Sequence, residues 1–244
     1  MFDINTFSNK LKQYSEGIPE KYLSENTIKK LYTVCSELEE KSKLFNLTAI
    51  TDPDEVLKKH IVDCLFLAAE IENWDKGSGK VLDVGSGAGF PSLPVAATLD
   101  DYSVTALDST AKKIGYIKNT ADLMGVTDFD AVASRAEDAA KSEMREAYDI
   151  VTARAVARLS VLSELCIPFI KVGGYFISMK GAAVEEEVKE AENAIKKLGC
   201  KFCKIVPYTI SDLPDKRFLV IYKKISSTPA LYPRNYSQIS KKPL

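Results

Sequence analysis

The sequence predicts an α/β fold: a Rossmann-like, mostly parallel sheet of seven strands with helices on both faces, preceded by a helical N-terminal extension. Three observations carry this. An apolar run, Val81-Leu82-Asp83-Val84, stops abruptly in glycines at every second position, Gly85, Gly87 and Gly89. From there to residue 224, short β-forming runs alternate with helical stretches, the pattern of a parallel sheet with helical crossovers. Residues 1–75 show helical spacing with few strand signals.

In the extension, Leu23, Ile28, Leu31, Val34 and Leu38 recur at helical steps and predict an amphipathic helix over 24–41. Asp52-Pro53-Asp54-Glu55 starts a second, reaching about residue 71. Asp52 caps it, Pro53 suits its first position and Glu55 completes a capping box. His60 and Asp63 lie three apart on one face, close enough to interact. A lone histidine beside a carboxylate is more often structural than catalytic, and any His-dependent triad would have to use this one, the only histidine in the chain.

The buried strand at 81–84 delivers the glycine loop to a helix. Pro91 fits that helix's first turn, Phe90, Leu93, Val95 and Ala96 supply its inward face, and its first N–H groups lack partners of their own. Further strands are predicted at 104–107, 129–133, 150–152, 175–179, 200–207 and 218–222. Helices over 110–124 and 183–198 stop at Gly125 and Gly199. The domain organisation expected is a helical extension over 1–75, a main domain over 76–224 and a basic tail over 225–244 that packs or binds RNA.

The spacing of the loop selects among its possible ligands. A dinucleotide fingerprint needs G-x-G-x-x-G/A, and the sixth place here is Phe90; a P-loop needs Gly-Lys-Ser/Thr, which is absent. What remains is the loop of S-adenosylmethionine-dependent methyltransferases, with an acid just before it, here Asp83. In such sheets ligands sit beyond the carboxyl ends of the strands. The second strand ends at Asp108, about 20 residues after the loop, where a carboxylate can accept from both ribose hydroxyls. The third is followed by Arg135, Glu137 and Asp138, where an acceptor or backbone group can read an adenine amino group, although Ser134 or Asp138 can equally be a helix cap. The fourth ends T-A-R-A-V-A-R, with Arg154 and Arg158 in place of the Asn-Pro-Pro-Tyr of methyltransferases acting on exocyclic amines.

Composition bounds the rest. The 244 residues are 45% apolar with 33 basic and 34 acidic side chains, enough to bury a sizeable core. The N-terminus lacks a basic region followed by an apolar core, and no apolar run is long enough to span a bilayer, so a cytoplasmic protein without membrane association is expected. Five scattered cysteines do not suggest a disulfide framework. C-K-F-C at 200–203 has no second ligand pair, so no metal is expected. From Lys223 onward the chain holds Lys223, Lys224, Arg234, Lys241 and Lys242 and no acid, interleaved with Tyr232, Tyr236 and prolines. That reads as a weakly structured basic tail, either a frayed terminus or a strap against phosphates and bases.

Several motifs together resemble the RsmG (GidB) family, the ribosomal small-subunit methyltransferase G, also called glucose-inhibited division protein B. They are N-L-T-A-I at 46–50, H-I-V-D-C at 60–64, D-V-G-S-G-A-G-F-P at 83–91, S-R-A-E-D at 134–138, the Y-D-I-V-T-A-R-A-V-A run from Tyr148, M-K-G at 179–181 and Y-P-R at 232–234. The resemblance implies a class I S-adenosylmethionine-dependent methyltransferase fold. It also implies transfer of methyl from S-adenosylmethionine to N7 of one guanine in 16S rRNA, giving 7-methylguanosine, in or on the small ribosomal subunit. It places cofactor contacts on Gly85, Phe90, Ala136, Glu137 and Arg154; the general methyltransferase pattern adds Gly87, Gly89 and Asp108. Cys64 stands where the family usually has serine and Ser92 where it usually has glycine.

Guanine N7 carries a lone pair and no proton, so no catalytic general base is expected, and proximity and orientation supply about 7 kcal/mol or more in well-aligned cases. Candidate RNA contacts are Arg158, Lys180, Arg217 and Arg234, with Lys241, Lys242, Lys58 and Lys59 behind them. A monomer is expected. The rival readings are a methyltransferase acting on another RNA, a protein or a small molecule, and a non-catalytic ribosome assembly factor; the destination of a labelled methyl group separates them.

Overall fold

The computed structural model describes residues 2–74 and 77–244, so the expected boundary between residues 75 and 76 lies outside the described residues. The strands are β1 (Gly79–Val84), β2 (Tyr102–Asp108), β3 (Phe129–Ala133), β4 (Tyr148–Arg154), β5 (Ile170–Lys180), β6 (Cys200–Ile210) and β7 (Leu213–Lys224). They form the expected seven-stranded sheet in the order β3-β2-β1-β4-β5-β7-β6. The first five run parallel, and β7 is antiparallel to both β5 and β6. Val81, Leu82, Ile150 and Val151 are all buried, as strands covered on both faces require. The chain winds outward from β1 to β2 on one side and to β4 on the other, which opens a crevice at the carboxyl ends of these strands.

One face of the sheet is covered by α1 (Ile4–Tyr14), α2 (Glu25–Ser42), α3 (Pro53–Val56), α4 (Asp63–Trp74), α5 (Ser92–Thr98) and α6 (Ala111–Met124). Their apolar residues join Val81, Val104 and Ile177 in one core, so the N-terminal helices share a core with the sheet. The other face carries α7 (Ala136–Ala139), α8 (Leu159–Cys166), α9 (Val184–Lys197) and α10 (Tyr236–Lys241) over Leu82, Leu107, Val151 and Phe176. Alternate residues of β1 thus feed opposite cores.

Two helical details differ from expectation. Asp52 caps α3 by accepting from the Glu55 N–H at 3.0 Å, but the Glu55 carboxylate turns to Lys58 and Lys59 rather than back to the cap. The helix then passes through a wide, π-type stretch, Leu57–Val62, into α4 and continues beyond Ile71 to Trp74. Trp74 holds that last turn by donating to Glu70 at 2.6 Å and packing on Tyr175.

The tail is not weakly structured. Arg145 donates to the carbonyls of Thr228 and Tyr232 at 2.8 and 2.9 Å. Arg234 donates to the Glu164 carboxylate, which is wholly buried, through its backbone N–H and its guanidinium. Asn235 and Gln238 form a capping box at the start of α10, and Ile239 is buried. A carboxylate inside a core needs a cation, and the tail supplies it. No described helix is long and apolar enough to cross a membrane.

Candidate functional site

At the end of β1 the chain turns through Gly85, Gly87 and Gly89, all at positive φ. A Cβ on Gly89 would lie 2.4 Å from Leu93 Cδ1, so this glycine lets α5 pack against its own loop. A Cβ on Gly87 would meet nothing nearer than 3.9 Å and would take up open space. The Leu107 carbonyl accepts from the Gly85 and Ser86 N–H groups at 2.8 and 3.1 Å, and Asp108 Oδ2 accepts from Gly87 N–H at 3.0 Å. Asp108 Oδ1 accepts from Thr110 N–H at 2.8 Å. The half-buried Asp108 therefore clamps the loop with two of about four acceptor sites and leaves the others unpaired among the described residues.

The helix after the loop does not offer all its first N–H groups. Ser92 N–H donates to Asp83 Oδ2 at 3.1 Å beneath the loop. Burial pushes the Asp83 carboxyl up to about 6, opposed by its bonds from Ser86 and Ser92. Asp83 thus anchors the turn from inside, and Pro91 caps α5 instead of lying within it.

Two cavities open side by side at the crevice. The first, about 420 Å³, is lined by Gly85, Gly87, Phe90, Asp108, Ala136, Glu137 and Arg154, which gathers the expected cofactor residues except Gly89. The second, about 760 Å³, is lined by Arg158, Lys180 and Arg217 among others; Arg234 lines neither. His60, Arg154, Ala155 and Val156 line both and form the wall between them. Ala155 sits at φ 55, an unusual backbone state for alanine just past the end of β4.

The wall is a network around Arg154. Its guanidinium donates to the Lys59 carbonyl at 2.8 Å in the wide helical stretch, to Asp63 Oδ2 at 3.3 Å, and to His60 Nδ1 at 3.1 Å. Asp63, almost wholly buried, also accepts from Arg217 at 2.8 Å and from the Tyr208 hydroxyl at 2.7 Å. His60 stacks on Phe90, centroids 4.7 Å apart, and shares a hydrogen bond with Thr48 at 3.0 Å. Burial, and then the charge of Arg154, push His60 down to about 3, so the ring is neutral. His60 and Asp63 are linked, but through Arg154 rather than directly.

The four leading candidate RNA cations, Arg158, Lys180, Arg217 and Arg234, already have carboxylate partners. Arg158 pairs with Glu186 and Glu190 at 2.8 and 2.9 Å, Lys180 with Glu187 at 2.7 Å, Arg217 with Asp63 and Arg234 with Glu164. Leu47, Thr48, His60, Val156 and Tyr236 line the first cavity without having been singled out as ligand contacts. For Leu47 and Thr48 the N-L-T-A-I motif was the available signal. Among the described residues no group of three or more His, Cys, Asp or Glu side chains is placed to hold a metal ion.

The family model described as rRNA small subunit methyltransferase G (GidB) matches residues 27–212. The ribosomal RNA small subunit methyltransferase G of Clostridium beijerinckii is 43% identical over 223 residues, covering 91% of this chain and 92% of the relative. That of Clostridium perfringens strain 13 is 45% identical over 210 residues, covering 85% and 86%. A solved S-adenosylmethionine-dependent O-methyltransferase of Thermotoga maritima superposes with a TM-score of 0.53 at 15% identity, covering 78% of this chain and 71% of that one, a likeness of fold.

Proposed function

The chain belongs to the GidB family, the rRNA small subunit methyltransferases G, and from that premise we propose that it transfers the methyl group of S-adenosylmethionine to N7 of one guanine in 16S rRNA. The observation that supports this best is the pair of adjoining cavities with a shared wall at His60 and Arg154. The first takes the cofactor and the second the guanine and its flanking RNA.

The residues of the first cavity fit the cofactor. Gly87 leaves room that any side chain would fill. Asp108 retains free acceptor sites for ribose hydroxyls, and the Ala136–Glu137 turn beyond β3 presents backbone groups to adenine. Arg154 holds the boundary between the cavities. S-adenosylmethionine supplies a methyl group on a sulfonium: the S–C bond breaks as the N7–C bond forms, sulfur keeps the electron pair, and the positive charge passes to the guanine.

No proton leaves N7, so no side chain is needed as a base, and neutral His60 serves as packing against Phe90. The chain's contribution is alignment of two bound partners across the Arg154 wall. Arg158, Lys180 and Arg217 face the RNA cavity, and RNA phosphates compete with their present carboxylate partners. Arg234 is assigned to anchoring the tail. The protein acts in the cytoplasm, where small subunits are assembled and modified, and as a monomer.

The test is to incubate the protein with methyl-labelled S-adenosylmethionine and small subunits that lack the modification, then partition the label. Label in 16S rRNA is expected. Label in polypeptide or low-molecular-weight material, or none despite measured cofactor binding, would favour the other methyltransferases or an assembly factor instead.

A further inference from the structure

We propose that Tyr236, in the C-terminal tail, is a cofactor-binding residue whose ring closes the adenine side of the first cavity. This rests on reading that cavity as the cofactor site. Tyr236 lines the first cavity and is absent from the lining of the second, so it is placed for the cofactor and not for the RNA. Tyr236 is 44% exposed, and among the described residues its ring stacks on no other ring and its hydroxyl has no hydrogen-bond partner. A large aromatic side chain left unpartnered at the mouth of a cavity is free to meet a planar ligand.

The tail is built to hold it there. Arg234 is fixed through its backbone N–H and its guanidinium to the buried Glu164 of α8, and the next residue in α8, Leu165, lines the same cavity. Ile239, three residues after Tyr236 and so on the same side of α10, is fully buried in the core that Ala136 packs against. Buried Ile239 thus anchors the side of α10 that carries Tyr236, and Tyr236 shares the lining of the first cavity with Ser134, Arg135, Ala136 and Glu137, the segment assigned to the adenine amino group. The purine offers a π face at that end, and stacking on tyrosine needs no particular register of donors.

Binding of S-adenosylmethionine and of S-adenosylhomocysteine to the full chain is measured by calorimetry for wild type, Tyr236→Ala, Tyr236→Phe and Asp108→Ala, with steady-state kinetics on small subunits. Tyr236→Ala is expected to raise both Kd values and the cofactor KM about two- to tenfold, with kcat and RNA affinity unchanged, and Tyr236→Phe to stay within about twofold of wild type. Unchanged cofactor Kd in Tyr236→Ala, alongside weakened binding in Asp108→Ala, overturns the proposal and leaves the cavity assignment standing. Lost RNA affinity with unchanged cofactor Kd also overturns it and moves Tyr236 to the RNA face. Failure of wild type to bind, or an unaffected Asp108→Ala, overturns the cavity assignment itself. Should Tyr236→Ala melt early, Tyr236→Trp provides the second readout: its emission changes on saturation with cofactor if the ring covers the ligand, and stays constant if it does not.

Discussion

Arg154 donates from its guanidinium to Nδ1 of His60 at 3.1 Å. Arginine is a donor only, so Nδ1 must be the acceptor, and the ring proton sits on Nε2, where it is donated to Thr48 Oγ1. The Lys59 carbonyl, 3.2 Å from Nδ1, is then a second acceptor gathered by the same guanidinium. One cation thereby fixes a tautomer, a ring plane against Phe90 and a carbonyl of the wide helical stretch.

Two buried groups bias acid stability in opposite directions. His60 falls to about 3 when folded, chiefly by burial, against 6.5 ordinarily, while burial lifts Asp83 from 3.8 to about 6. Between about pH 4 and 6, unfolding takes up a proton at His60 and releases one at Asp83, so their contributions oppose. Asp83→Asn leaves His60 alone: its contribution is full above pH 6.5 and is lost on acidification at about 1.4 kcal/mol per pH unit. His60→Gln leaves Asp83, whose contribution is full below pH 3.8 and is lost as pH rises through 6, so from pH 6 to 4 this chain loses less stability than wild type. Urea unfolding at three pH values checks it; identical slopes in the three proteins would refute the assignment.

Arg154 touches both cavities, so its removal should harm both ligands. Arg154→Ala is expected to lower kcat/KM about ten- to hundredfold and to weaken cofactor binding. Arg154→Lys should recover little, because an ammonium cannot bridge His60, Asp63 and the Lys59 carbonyl with a planar fork. Calorimetry with kinetics decides; full rescue by lysine would mean that only charge matters there.

Arg217 lines the second cavity alone. Arg217→Ala should leave cofactor Kd within about twofold while lowering kcat/KM for small subunits about tenfold and reducing the salt sensitivity of RNA binding. An equal loss in cofactor affinity would show that the two cavities are not divided as proposed.

Arg234 answers a buried carboxylate. Arg234→Ala should cost about 3–5 kcal/mol by leaving Glu164 charged and alone, and adding Glu164→Gln should restore part of this. Thermal and urea unfolding measure it. A stable Arg234→Ala protein with weakened RNA binding would return this residue to the RNA face.

How much of this was legible follows from the range of each interaction. The β1 loop could be read because an apolar run and its glycines are neighbours, and the place of Asp108 and Glu137 on the first cavity because residues that follow strand ends in a parallel sheet face its crevice, whereas Ala136 rested on the family resemblance. The wall could not: Asp63 meets Arg154 and Arg217 across 91 and 154 residues, and no local pattern encodes that pairing. The tail misled because basic residues near a terminus usually face water, whereas the partner of Arg234 is a glutamate inside the apolar helix S-V-L-S-E-L-C. The wide stretch at Leu57–Val62 holds no Gly or Pro that would mark it in the sequence, so it is seen only in the backbone of the structure.

Transfer to guanine N7 is tested most directly by identifying the methylated nucleoside. Small subunits lacking the modification are incubated with the protein and labelled S-adenosylmethionine, and the 16S rRNA is digested and resolved by mass spectrometry. Label is expected in 7-methylguanosine at one position, undiminished in His60→Gln protein that still binds both ligands. Label in an exocyclic or ring-nitrogen methylation that requires loss of a proton, or abolition by His60→Gln with both ligands still bound, would contradict it.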